Sequence, residues 1–228
     1  MRWLNLCLSV VICFLLPGCN EQKKNDPAAG TSIASAGNAD IKRPSQQYIA
    51  YCDSISALVK KWRSQKNLSS IKKLVYHSIA VDMPLYWHGT KWDFNGTTRT
   101  AGDSSIACGY FITTLLQDIG LKVNRSWLAQ QPSSVLIKTT CNNIKRLADF
   151  NDLRKYLGNL PANSICIVGL DFHTGFIVKD KDNTWFFHSN YIGRAGVTKE
   201  LTDDSRALKN NKTFMIGNLT ENAEYLML

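Results

Sequence analysis

Helical periodicity fills the front of the chain and strand periodicity the back, and that order restricts the fold more than any single motif does. Tyr48, Cys52, Ile55, Val59 and Trp62 recur at spacings of three and four with lysines on the other face, which predicts an amphipathic helix. Ile71, Leu74, Val75, Ser78 and Ile79 predict a second helix that ends near Pro84. An aromatic- and glycine-rich loop is expected over residues 84–102. A third helix should start at Asp103 or Ser104, either a good N-cap, and stop at Gly120, with a fourth over 150–157. From residue 164 the pattern changes. Residues 164–170, 173–179 and 184–190 read as strands, the last two joined by a turn at Lys181, Asp182 and Asn183. Residues 196–201 and 213–219 are further strands, with a small helix at 203–208 between them. Helices followed by an antiparallel sheet make an α+β fold rather than an alternating, doubly wound one.

Composition excludes several other classes. Hydrophobic residues make up 44% of the 228 and charged residues 20%, which rules out wholly disordered, collagen-like and polytopic membrane chains. One globular domain is expected from the length. The 27 Lys and Arg against 18 Asp and Glu give a net charge of +9, but the basic residues are scattered. No nucleic-acid partner is expected from them.

The N-terminus reads as an export signal. Arg2 precedes a nearly continuous apolar run from Leu4 to Leu16, too short to span a bilayer of about 30 Å comfortably. The run closes with Leu16-Pro17-Gly18-Cys19, which resembles the lipobox of bacterial lipoproteins. That resemblance implies removal of residues 1–18, acylation of Cys19, and a membrane held through the lipid alone. Residues 19–44 are small and polar without apolar periodicity and read as a flexible tether, leaving 45–228 as the folded head.

Within the head, chemistry narrows to Cys and His. There is no Gly-x-Gly-x-x-Gly, Walker loop, His-Glu-x-x-His, Gly-x-Ser-x-Gly or Cys-x-x-Cys, so no cofactor is expected. Cys52 and Cys166 fall on apolar faces and read as core, and Cys52 with Cys141 is a conceivable disulfide. Cys108 lies in the first turn or so of the third helix, where unpaired amides and the helix dipole should lower a thiol pKa and can hold an oxyanion. Gly109 beside it should leave a substrate room to approach. On position alone Cys108 reads equally well as a nucleophile or as a packed helix cysteine. His173 and His188 lie at similar distances from the turn near Asp182, so antiparallel pairing sets their rings side by side. Two satisfied core histidines, or a zinc site with Cys108, are the competing readings.

The order Cys108, His173, His188, a helix-borne Cys and two His on successive strands, resembles the papain-like NlpC family of cell-wall cysteine peptidases. Tyr86-Trp87-His88-Gly89-Thr90 is similar to the family's tyrosine-tryptophan-glycine stretch, and His173-Thr174-Gly175 to its His-x-Gly. The likeness spans about residues 84–192, with Ala107-Cys108-Gly109-Tyr110 in place of the family's Asp-Cys-Ser-Gly. It implies a papain-like fold, Cys108 as nucleophile, His173 as base and His188 as its orienter, with Asn190 a rival orienter. It also implies that Tyr86 contacts the active site. The aromatic stretch Tyr86, Trp87 and Trp92 reads as the wall of a substrate groove, or as half-buried packing, and an exported location makes peptidoglycan or another envelope peptide the expected substrate. An acyltransferase with the same nucleophile and a non-catalytic envelope-binding lipoprotein are the alternatives.

Overall fold

The computed structural model describes residues 45–228; the signal, the lipobox Cys19 and the tether lie outside the described residues. The head is α+β, built on a six-stranded antiparallel sheet. Helix α1 (Ser45–Ser64) buries Tyr48, Ile55 and Val59, as its periodicity requires. Helix α2 (Leu68–His77) follows, capped by the Asn67 side chain, which accepts from the Ser70 amide.

The helical path then runs past Pro84 instead of stopping there. A π-helical turn (Ser78–Asp82) leads directly into α3 (Met83–Trp87), with Pro84 in its first turn. A proline supplies no N–H to the preceding turn. The Ala80 carbonyl left over is taken by Lys199 Nζ, distant in sequence but adjacent in the fold, which donates to it at 2.6 Å.

Helix α4 spans Cys108–Asp118 and so begins four residues after the latest expected start. Residues 103 and 104 form a bend, with Ser104 at a positive φ, and residues 105–107 are held in pairing: Ser105 accepts from Thr98, Ile106 donates to Lys91 and Ala107 donates to Gly96. Ala107 becomes the N-cap and has no side chain to offer the first turn. Two short helices and an edge strand were not expected from periodicity: α5 (Arg125–Ala129), α6 (Ser133–Thr140) and β1 (Asn142–Leu147).

Helix α7 (Phe150–Gly158) is capped by Asp149, which accepts from the Asp152 amide. Strands β2 (Ser164–Gly169), β3 (Thr174–Lys179) and β4 (Thr184–Asn190) form a meander. After a 3-10 turn at 192–194 come β5 (Gly196–Leu201), α8 (Arg206–Lys209), β6 (Phe214–Asn218) and α9 (Ala223–Met227). The strand order is β1-β6-β2-β3-β4-β5. Alternation sends Ile165, Ile167, Phe176 and Phe187 into the larger core beneath α1, α2 and α4. Cys166, Val168, Ile177 and Phe186 face a smaller core closed by Leu153 and Leu157 of α7 and by Leu208 of α8.

Candidate active site

Three elements meet at one end of the sheet: the start of α4, the start of β3 and the end of β4. Cys108 is the first residue of α4, and its neighbours in that turn have no i−4 acceptor inside the helix. The amides of Thr174, Gly109 and Cys108 itself point at Sγ and favour its thiolate. Burial outweighs them, and the net effect pushes the thiol up, contrary to the lowered value expected from helix position alone. At neutral pH Cys108 therefore keeps its proton as a thiol.

His173 lies just before β3 and His188 within β4. The β3–β4 register pairs Phe176 with Phe187, so Gly175 falls opposite His188 and His173 one step beyond. His173 Nε2 and His188 Nδ1 are 2.8 Å apart, and both rings are buried. His188 is stacked on Phe186 with ring centroids 3.9 Å apart, while Tyr191 meets the His173 ring edge-on at 5.0 Å. A β-carbon at Gly175 would collide with Phe186 and with His188 Cβ, so this glycine makes room for the second histidine. Gly109 has a comparable reason, since a β-carbon there would collide with the Ala129 carbonyl.

Glu200 completes the chain and was not among the residues singled out from sequence. Its Oε1 lies 3.2 Å from His188 Nε2. Phe186 pairs with Glu200 across β4–β5, which puts Glu200 on the same sheet face as His188 and one diagonal step away. Burial acts to raise the Glu200 carboxyl, but hydrogen bonds from His188 and Ser205 hold it below the usual carboxylate range. An ionised carboxylate only accepts, so His188 carries its proton on Nε2 and presents a lone pair at Nδ1. His173 must then donate from Nε2, which leaves the lone pair of its Nδ1 free. Burial, and secondarily the neighbouring His188, hold His173 well below its usual value, so it is neutral at rest. Burial likewise lowers His188, with Glu200 opposing.

Cys108 and His173 both line a cleft of about 610 Å³. No hydrogen bond joins Sγ to either imidazole among the described residues; the Cys108 thiol and the His173 imidazole share the cleft as neutral groups. Asn190 is turned elsewhere, its Oδ1 accepting from the Ile192 amide, so His188 rather than Asn190 contacts His173. Tyr86 and Trp87, expected at the substrate site, are instead core residues packed on Tyr48 and, for Trp87, on Phe111. Of the three aromatics expected to wall the groove Trp92 borders the cleft, together with Phe94, Tyr110, Phe172 and Tyr191. Cys52 and Cys141 are free thiols and form no disulfide, and burial pushes each up to about 12. Among the described residues no three His, Cys, Asp or Glu side chains are grouped to hold a metal ion, so the zinc arrangement is not formed.

No family model, no curated protein and no solved structure matches the chain.

Proposed function

We propose that this chain is a cysteine hydrolase of papain-like, NlpC-type architecture, held to a bacterial membrane through a lipid on Cys19 and cleaving an amide bond in the cell envelope. The observation that carries the proposal is the chain His173–His188–Glu200, at 2.8 and 3.2 Å, ending in a cleft that also holds Cys108. A histidine pair kept only for packing has no need of a carboxylate that fixes both tautomers.

Attack on a carbonyl carbon forms the Sγ–C bond while the thiol proton passes to His173 Nδ1. The imidazolium that results is stabilised through His188 by Glu200. The oxyanion is received by the first-turn amides of α4, which lack intrahelical acceptors. When the C–N bond breaks, His173 returns the proton to the leaving amine. Water, deprotonated by the same nitrogen, then cleaves the thioester and regenerates the thiol. Stem peptides of peptidoglycan are the nearest amide substrates for an enzyme in that compartment.

The test is trapping of the covalent intermediate. Incubated with an activated ester and analysed by mass spectrometry after proteolysis, the protein should carry an acyl group on Cys108. Cys108→Ala should carry none, and His173→Ala should acylate at least 100-fold more slowly. Acylation spread evenly over Cys52 and Cys108, and unaffected by His173→Ala, would leave a non-catalytic envelope-binding lipoprotein.

A further inference from the structure

The walls of the Cys108 cleft indicate what the site takes. Among the described residues no Asp, Glu, Lys or Arg lines it; beside Cys108, His173 and two tyrosines, its polar side chains are Asn95, Thr97 and Gln130. Gln130 is already engaged, donating to the Tyr110 hydroxyl at 3.2 Å and to the Ser126 carbonyl at 2.9 Å. The remaining surface is largely aromatic. Trp92 and Tyr191 lie 6.0 Å apart, and Tyr191 extends that wall onto the His173 ring.

Two rims carry phenylalanines that the core does not use. Phe172 is 99% exposed and Phe94 80% exposed, yet both border the cleft. Their turns are rigidly braced. Asp171 accepts from the Thr213 hydroxyl at 2.6 Å and from the Lys212 amide at 3.2 Å, while its own amide donates to Asn211. Asp93 accepts from the Asn95 amide at 2.8 Å. Each turn thus holds a ring out in water immediately beside the nucleophile, an arrangement with no folding benefit.

On the hydrolase reading above, we infer that Cys108 accepts an uncharged, extended apolar acyl group, laid along the aromatic walls between Phe94 and Phe172. A carboxylate carried into this cleft would lose hydration and meet no cation in its lining, the Arg125 guanidinium behind Tyr110 being engaged with Thr97, Thr98 and Thr114. The same desolvation already keeps the thiol protonated. Stem-peptide residues with acidic side chains are thereby disfavoured as the acyl side of the cleaved bond. An apolar chain gains at each carbon it buries, by about threefold in apparent affinity per methylene in an open cleft.

The experiment uses p-nitrophenyl esters of acetate, butyrate and octanoate, together with the mono-ester of suberic acid, which matches octanoate in length but ends in a carboxylate. The Cys108→Ala rate is subtracted from each. Expected is a kcat/KM that climbs steadily from acetyl to octanoyl and falls at least tenfold from octanoyl to suberyl. Phe172→Ala and Phe94→Ala, both at exposed positions, should lower the octanoyl-to-acetyl ratio. A Cys108-dependent rate that is flat across the series, or a suberyl ester as good as octanoyl, overturns the apolar-acyl inference and leaves the hydrolase standing. The absence of any Cys108-dependent turnover overturns both.

Discussion

Because Glu200 accepts from His188 Nε2, a residue that does not line the cleft determines which nitrogen of His173 has a lone pair. Glu200→Gln tests that dependence. The amide removes the negative charge that favours imidazolium, and it can present an N–H as readily as an oxygen, so the tautomers are no longer fixed. We expect kcat to fall about 10- to 100-fold, in line with loss of an orienting partner, with KM nearly unchanged. The acid limb of the rate profile reports His173, which must be unprotonated to act as base. Burial lowers its pKa, so activity should persist below pH 6.5 and disappear only well under it. Without the Glu200 charge the imidazole holds a proton less well, and the limb should move to still lower pH. A limb that stays in place with kcat intact would show that Glu200 serves packing alone. Spacing made the meeting of His173 and His188 legible, because a turn near Asp182 fixes which positions on two adjacent strands come together, whereas the place of Cys108 in the same cleft depends on how α4 packs on the sheet. Glu200 was hidden because its proximity depends on the register of β4 with β5, which no local motif in the sequence encodes. Tyr86 and Trp87 misled for a related reason: an aromatic pair before a glycine looks the same in a loop as at the end of a buried helix.

At the scale of elements, the site depends on how β4 holds the segment leading into α4. Ser189 is fully buried, and its hydroxyl donates to the Ile106 carbonyl at 2.6 Å, two residues before Cys108. That bond ties the segment leading into α4 to strand β4; it does not cap the helix, since it donates to a carbonyl and leaves the first-turn amides without a side-chain acceptor. Ser189→Ala leaves a buried carbonyl unsatisfied, at a cost of about 1–3 kcal/mol. For a domain of this size that corresponds to a melting temperature lower by about 2–12 °C, readable by calorimetry, with a larger proportional loss in Cys108 acylation because the segment that places Cys108 loosens. Unchanged acylation in a destabilised variant would separate the bond from the site. The long helices and the central strands were legible because each buries a complete face, and burial of one face is what creates periodicity. The α4 start was misread because Asp103 and Ser104 are good caps by type, yet the backbone that follows them, 105–107, is committed to Lys91, Gly96 and Thr98. The passage through Pro84 depends on Lys199, more than a hundred residues away, and helices of five residues such as α3 and α5 are too short to show a repeat.

For the whole molecule, burying two neutral histidines at the rim of the sheet links stability to pH. Both His173 and His188 lie below the ordinary imidazole value, chiefly through burial. The unfolded chain takes up protons near pH 6.5 while the folded chain refuses them, so below that value the unfolded state binds more protons and is favoured. The stabilisation is therefore fully present above pH 6.5 and is lost as pH falls through the depressed folded values. The slope approaches about 1.4 kcal/mol per pH unit for each histidine. Between pH 6.5 and 5.5 carboxylates are still largely ionised in the unfolded chain, so the histidines dominate this window. Calorimetric scans of the head should show a melting temperature falling by several degrees across it, and His188→Gln should reduce the slope by removing one of the two groups. A flat melting temperature would mean that the rings accept protons without unfolding. Water would then reach the relay, and the neutral, desolvated thiol and imidazole inferred at rest could not be the working state of the site.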